Sequence, residues 1–238
     1  MAGKFLRGAF VQFMDTFLVP LPNIIIFQFN PEQIVHSWTP AQSAAQNEDD
    51  NPLATKGAPG ETFQFSLQMD ASDMIADGSP VAEGIATVSG VYTRIAALEM
   101  LMHPTGGGGG GLLGSVSVSV GSSGISAGAA AGGGVQRAVP ASQLPTVLFV
   151  WGPGRVLPVK LTSLSITETL YDPLLLNPTH AEAQVSLQVL TPRELQYVEG
   201  PLAEVATFAY DFSQKLREAL AIANLANSAE SAIGMLPL

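Results

Sequence analysis

LPTVLFVWGPGRVLPVKLTSLSITETLYDPLLLNPTHAEAQVSLQVL, residues 144–190, is the stretch whose reading decides the fold. Pro, Gly and Asn turns divide it into three or four strand-like runs, the pattern of one antiparallel meander. In its last run Ala181, Ala183, Val185, Leu187 and Val189 alternate with Glu182, Gln184, Ser186 and Gln188. A period of two describes a strand with one buried and one wetted face. The same alternation recurs far upstream, where Phe63, Phe65, Leu67 and Met69 interleave with Thr62, Gln64, Ser66, Gln68 and Asp70. Two distant strands with one binary pattern bury their apolar faces most economically against a common core.

Working outward toward the N-terminus, residues 8–13 and the apolar run 24–29 read as strands separated by a turn at Pro20 and Pro22. Asn30-Pro31 stops the second, because a residue before proline is pushed out of the helical region and Asn-Pro initiates turns. Residues 41–60 are rich in Gln, Asn, Pro and Gly and contain Glu48-Asp49-Asp50, which predicts a long loop before the Phe63 strand. The period then switches. Ile85, Val88, Tyr92, Ile95, Leu98 and Met102 recur at steps of three and four, predicting one helix of about twenty residues that stops at His103-Pro104 and is weakened by Gly84 and Gly90.

Residues 105–139 form a Gly/Ser-rich low-complexity insert with too few large side chains to offset the entropy of ordering its backbone. Within it, 115–120 alternates well enough for a short hairpin strand. No charge falls between Glu99 and Arg137, yet six serines and four glycines within 112–131 make the insert too polar and flexible to span a membrane. At the other end Thr191-Pro192, with Glu194 in the first turn, starts a final long helix. Along it Leu202, Val205, Ala209, Phe212, Leu216, Ala219, Ala223 and Ala226 form a heptad-like seam that narrows from large residues to alanines. Such a seam either covers the helix's own domain or docks a partner, and both readings stand. The expected organisation is one β domain from 1–104 and 140–192, the insert at 105–139 and a helical extension at 193–238.

The charge balance narrows the function classes. Ten Lys and Arg against twenty Asp and Glu give a net charge of −10, which repels a phosphate backbone and argues against nucleic acid. Charged residues are only 13 % of the 238, about half the usual share, as expected of a surface that partners cover. Cysteine is absent, which removes disulfides, thiolate nucleophiles and Cys-ligated zinc. The N-terminus lacks the run and cleavage site of a secretory leader and reads as mature protein.

No motif carries chemistry. Gly124-Ile125-Ser126-Ala127-Gly128 matches the G-x-S-x-G pattern, but that motif needs a strand before it and a helix after it, and this one lies in a Gly/Ser tract. Gly57 to Gly60 lacks the Gly-Lys-Ser/Thr of a phosphate loop. His36, His103 and His180 are scattered with no second ligand at helical spacing. Glu48-Asp49-Asp50 reads as a solvated acidic loop, and Glu168 as a polar strand position. Trp38 and Trp151 are either interface anchors or core residues. The chain is expected to be no enzyme and to hold no cofactor or metal.

Phe27-Gln28-Phe29-Asn30-Pro31-Glu32 followed by His36-Ser37-Trp38 resembles the F-x-F-N-P opening of tube-type baseplate proteins of contractile injection systems, the phage-tail-like particles of the antifeeding-prophage kind. Gly60-Glu61-Thr62-Phe63, the helix ending at Pro104, Val150-Trp151-Gly152 and Leu190-Thr191-Pro192 follow that family's order of elements. The resemblance implies a mainly β, α+β fold: a tube-protein-like antiparallel β-barrel or sandwich with one packed helix. It also implies assembly with itself into six-fold rings that join the spike and baseplate to the inner tube inside a sheath. That places the chain in a cytoplasmic assembly, released or membrane-anchored, without direct membrane insertion of its own. Several relatives carry a C-terminal LysM module, which has no counterpart here. The candidate partner-interface residues are Trp38, Trp151, Leu202, Val205, Ala209, Phe212 and Leu216. A β-domain that binds a small ligand or carbohydrate in its mouth is the alternative, and a hydrolase using Ser126 a distant third.

Overall fold

This computed structural model describes residues 6–14, 21–43, 51, 54–76, 86–103, 115–121, 124–130, 144–198 and 202–235. In chain order its elements are β1 (Ala9–Met14), β2 (Leu21–Ile26), β3 (Ile34–Thr39), β4 (Gln42–Ser43), β5 (Thr55–Lys56), β6 (Gly60–Asp70), α1 (Ala71–Ala76), α2 (Tyr92–Met100), β7 (Ser115–Gly121), β8 (Gly124–Ala130), β9 (Val147–Val150), β10 (Val156–Tyr171), β11 (Pro178–Val189), α3 (Pro192–Leu195) and α4 (Leu202–Met235). The two alternating stretches are neighbours: β6 and β11 pair antiparallel, with Phe65 opposite Val185 and Phe63 opposite Leu187. They belong to a seven-stranded antiparallel sheet in the order β2-β1-β9-β10-β11-β6-β3.

The sheet is rolled. Phe149 on β9 and Phe65 on β6 are three strand steps apart, about 14 Å in a flat sheet, yet their ring centroids lie 5.4 Å apart. Phe10 on β1 likewise reaches Phe65, at 6.3 Å. Phe10, Phe27, Phe63, Phe65 and Phe149 thus fill the concave side, where edge and offset contacts favour such a cluster beyond its area. Gln28, just past β2, holds the curl: its amide donates to the Asp70 carbonyl (2.7 Å) and its oxygen accepts from the Asp70 N–H (3.0 Å).

Val91, Ile95, Leu98 and Leu101 press α2 against the same core. This helix is shorter than the twenty residues expected, because Gly90 adopts φ +58° and breaks it. A Cβ there would lie 2.2 Å from the Pro178 carbonyl oxygen, so close backbone approach to the start of β11 demands glycine.

The register of β10 shifts between Leu161 and Ser163 where it pairs with β11. Before that bulge Leu157, Val159 and Leu161 face the core; beyond it the more sheltered positions are Leu164 and Ile166. One extra residue changes the parity of a strand and re-aims it. The bulge thereby keeps the apolar residues of the far half, Leu164 and Ile166, on the core side, opposite the buried Val185 and Ala183.

On the opposite side of the sheet lies a second apolar cluster, Leu148, Leu190, Leu195, Leu202, Ala206 and Ala209. Leu148 and Phe149 are adjacent yet both buried, so helices must cover the outer face here. Thr191 caps α3 in a capping box with Glu194, whose carboxylate also accepts from Lys160 Nζ (2.7 Å). The expected continuous helix after Thr191 is therefore two, α3 and α4. Within the Gly/Ser insert β7 and β8 pair as a hairpin, Ser115 opposite Ala130; residues 104–114, 122–123 and 131–143 lie outside the described residues. So do Ile85, the Glu48-Asp49-Asp50 cluster and residues 44–50 and 52–53 of the expected 41–60 loop, in which β4 and β5 form a short antiparallel pair.

Candidate interaction surface

A buried acid fixes α4 on the sheet. Strand alternation places Glu61 on the inward side of β6, two residues before Phe63, and it is only 3 % exposed. A carboxylate at such a place needs charged partners. Arg217 supplies a bidentate pair (Nη1 to Oε2 2.9 Å, Nη2 to Oε1 2.5 Å), and His36 Nε2 lies 2.8 Å from Oε1. The guanidinium also stacks over Trp38 at 5.0 Å, while His36 stacks on Phe63 at 4.3 Å. Ser213 Oγ donates to the Val156 carbonyl, and Leu216 packs near Gly154. Beside this cluster, burial raises the Tyr210 hydroxyl pKa; the Gln214 hydrogen bond opposes that rise and the Glu61 charge adds to it.

The helix residues split between two faces. Leu202, Ala206, Ala209 and Ser213 are buried, so Leu202 and Ala209 serve the chain's own sheet and offer no surface to a partner. Leu216 is half-buried. Val205 and Phe212, placed in the same stripe by sequence spacing, point outward with Phe208, which is 72 % exposed and stacks on Phe212. A drift of one position around the helix separates the expected seam from the two observed ones. From residue 218 to 225 every side chain is exposed, so the helix outruns the sheet it packs on.

The two tryptophans also differ. Trp151 packs against the aromatic core beside Phe149 and Phe27. Trp38 is half-exposed on β3, an edge strand that also exposes Val35. The other edge, β2, exposes Ile24 and Ile26. Phe27-Gln28-Phe29-Asn30 proves to be a stitch: Phe27 enters the core, Gln28 clamps β6, and Asn30 bonds both Gly8 N–H and the Leu6 carbonyl.

The loop joining β10 to β11 is more than the turn that its proline and asparagine predict. Leu170, Leu174, Leu175 and Leu176 are 72, 88, 56 and 72 % exposed. Asp172 Oδ1 accepts from Leu174 and Leu175 N–H groups (both 2.8 Å), the Leu176 N–H bonds the Asp172 carbonyl, and Thr179 Oγ1 bonds that of Leu170. Leu170 and Leu176 both take φ +56°, unusual for leucine. The available signal was three consecutive leucines between Pro173 and Asn177.

Between β10, β11 and β6 the outward face is a polar ladder in which the uncharged rows Ser165–Gln184–Ser66 and Ser163–Ser186–Gln64 are flanked by the charged rows Thr167–Glu182–Gln68 and Lys160–Gln188–Thr62, and Ser66 Oγ donates to the Glu182 carboxylate. Ser126 lies in β8 opposite Ser119, a strand interior in place of the strand-to-helix turn of a nucleophile elbow. His36 pairs with Glu61, and His180 Nδ1 lies 3.7 Å from Asp70. Among the described residues no three His, Asp or Glu side chains gather as a metal site, and no helix is long and apolar enough to cross a membrane. Compared with known proteins, the chain matches no family model and no curated protein.

Proposed function

We propose that the chain is a structural ring subunit of a contractile injection system, the rolled sheet forming a barrel-like wall between spike or baseplate and inner tube. The observation that carries this reading is the pair of open sheet edges: β2 and β3 have one neighbour each in the sheet, and both expose large apolar residues. Unpaired, apolar edges are aggregation templates unless they are protected, and pairing with another copy is one way to cover them. Two different edges on one sheet make a heterologous contact, which closes into a ring when the rotation per subunit divides a full turn. The order of sequence elements described above supplies the family, and the six-fold count comes from that resemblance alone.

The test is sedimentation of the tagged full chain from its native host. Co-sedimentation with sheath, tube and spike proteins as a large particle is the expected result. Recovery of a monomer, under conditions where such particles are intact, would defeat the proposal and turn attention to small ligands. Truncation after Glu218 keeps the Arg217 anchor and is expected to leave the domain folded while reducing incorporation into particles.

A further inference from the structure

The outward face of α4 has a period of its own. Val205, Phe208, Phe212, Lys215, Ala219 and Ile222 fall at alternating steps of three and four, the a and d positions of three heptads, with five of the six apolar. All six are exposed, Phe208 at 72 % and Ile222 at 69 %. This seam lies about a third of a turn from the one occupied by the sheet. Glu204, Asp211 and Glu218 recur every seven residues along its outer flank, at the g positions, and each is exposed. The other flank, the e positions, begins with Ala209 and Leu216, which the sheet already covers wholly or in part.

We infer that this face is a docking seam for an amphipathic helix of a different protein, apolar at its own seam and carrying Lys or Arg where it meets Glu204, Asp211 and Glu218. Charge selects that partner over a second copy. Antiparallel pairing of two α4 helices would set acidic rows against each other, at a cost similar to other like-charge pairs. Parallel pairing would set each acidic row against Ala209 and Leu216, where the sheet stands. A net charge of −10 adds general repulsion between copies. A basic-flanked helix meets none of these obstacles, and Lys215 in the seam favours a partner with one acceptor at the facing position. That the partner belongs to the same particle rests on the proposed function; the chemistry of the seam does not.

The experiment uses the full chain and two synthetic helices of about 21 residues, with Leu at a and d and either Lys or Glu at e and g, followed by fluorescence anisotropy. The Lys peptide is expected to bind and the Glu peptide to bind at least about tenfold more weakly, the sum of three flanking pairs. Phe208→Glu with Phe212→Glu makes the chain more acidic, so general attraction to the Lys peptide would persist; seam docking is expected to fall at least about thirtyfold. Glu204→Lys, Asp211→Lys and Glu218→Lys together should reverse the preference between peptides. Undiminished binding by the phenylalanine variant, or an unreversed preference, would overturn the inference. So would a drop in solution mass of the peptide-free chain on making the phenylalanine variant, since a second copy would then occupy the seam. Sedimentation without particle components, with peptide binding intact, would overturn the proposed function and leave the seam standing.

Discussion

The loop at 170–177 holds four leucines outward with its own hydrogen bonds, whereas α4 holds Val205, Phe208 and Phe212 outward by helical repetition alone. Both are apolar and exposed, and they lie at opposite ends of β10, about 50 Å of strand apart. The loop is a fixed shape whose order is set by Asp172 and two left-handed leucines. Such strain concentrates where a surface must be presented in one conformation. The helix is a repeating surface on which a partner has several registers to choose from, so the charges beside it must fix the register. Shape governs recognition at one end and spacing with charge at the other.

The largest break in that comparison is expected from Gly90→Ala. It forces a Cβ against the Pro178 carbonyl at a left-handed φ, and should cost about 3 kcal/mol or more in urea unfolding. It should also loosen the loop, whose Asn177 side chain bonds the Val88 carbonyl. At the other end, Arg217→Ala leaves the Glu61 carboxylate buried with the His36 ring nitrogen as its remaining side-chain partner, a loss of about 3 kcal/mol. Adding Glu61→Gln should recover part of it, and full additivity in the double-mutant cycle would refute the coupling. Asp172→Ala removes two capping bonds from the loop and should cost about 1–2 kcal/mol. Hydrogen exchange at Leu174 and Leu175 should quicken while that of α4 does not.

A pH series sharpens the picture between those ends. Burial pushes the Glu194 carboxyl upward, but bonds from Lys160 and Thr191 outweigh it and hold the pKa below the ordinary value. A depressed carboxyl stabilises the fold above its unfolded pKa, about 4.3, and that contribution is lost as pH falls through the lower native value. Asp70, burdened by burial but lowered by Ser72 and His180, acts in the same window. Glu194→Gln should therefore be less stable at neutral pH, by about 1 kcal/mol for the lost cap, and show a shallower acid loss. The smallest effect belongs to Phe208→Ser, expected within about 0.5 kcal/mol because the ring is exposed. A larger change would mean that this face already packs on something within the chain.

How much of this was legible in the sequence follows from the range of each interaction. The alternation in β6 and β11 is a local signal and led to their shared core, and the meander at 144–190 supplied β9 to β11. The roll of the sheet was not legible, because it depends on Phe149 meeting Phe65 across two intervening strands. The helix before His103 was overdrawn because apolar spacing runs through Gly90, whose conformation is set by Pro178 far along the chain. The Glu61–Arg217 pair joins residues 156 apart, and no local pattern announces it. On α4 the heptad was visible, but two interleaved seams share the same steps of three and four. Only burial separates Leu202 and Ala209, which serve the sheet, from Val205 and Phe212, which do not.

Gln28 gives the rolled sheet a mechanical character. Its single side chain takes the place of a strand neighbour, giving and accepting one bond each with Asp70, while the strands on either side are joined by ladders of many bonds. Force along the strands shears those ladders all at once and meets high resistance. Force that widens the roll instead loads the few Gln28 bonds, to the Asp70 backbone and the Asp73 carboxylate, together with the aromatic contacts across the concave side, so the roll has a softer direction at Gln28.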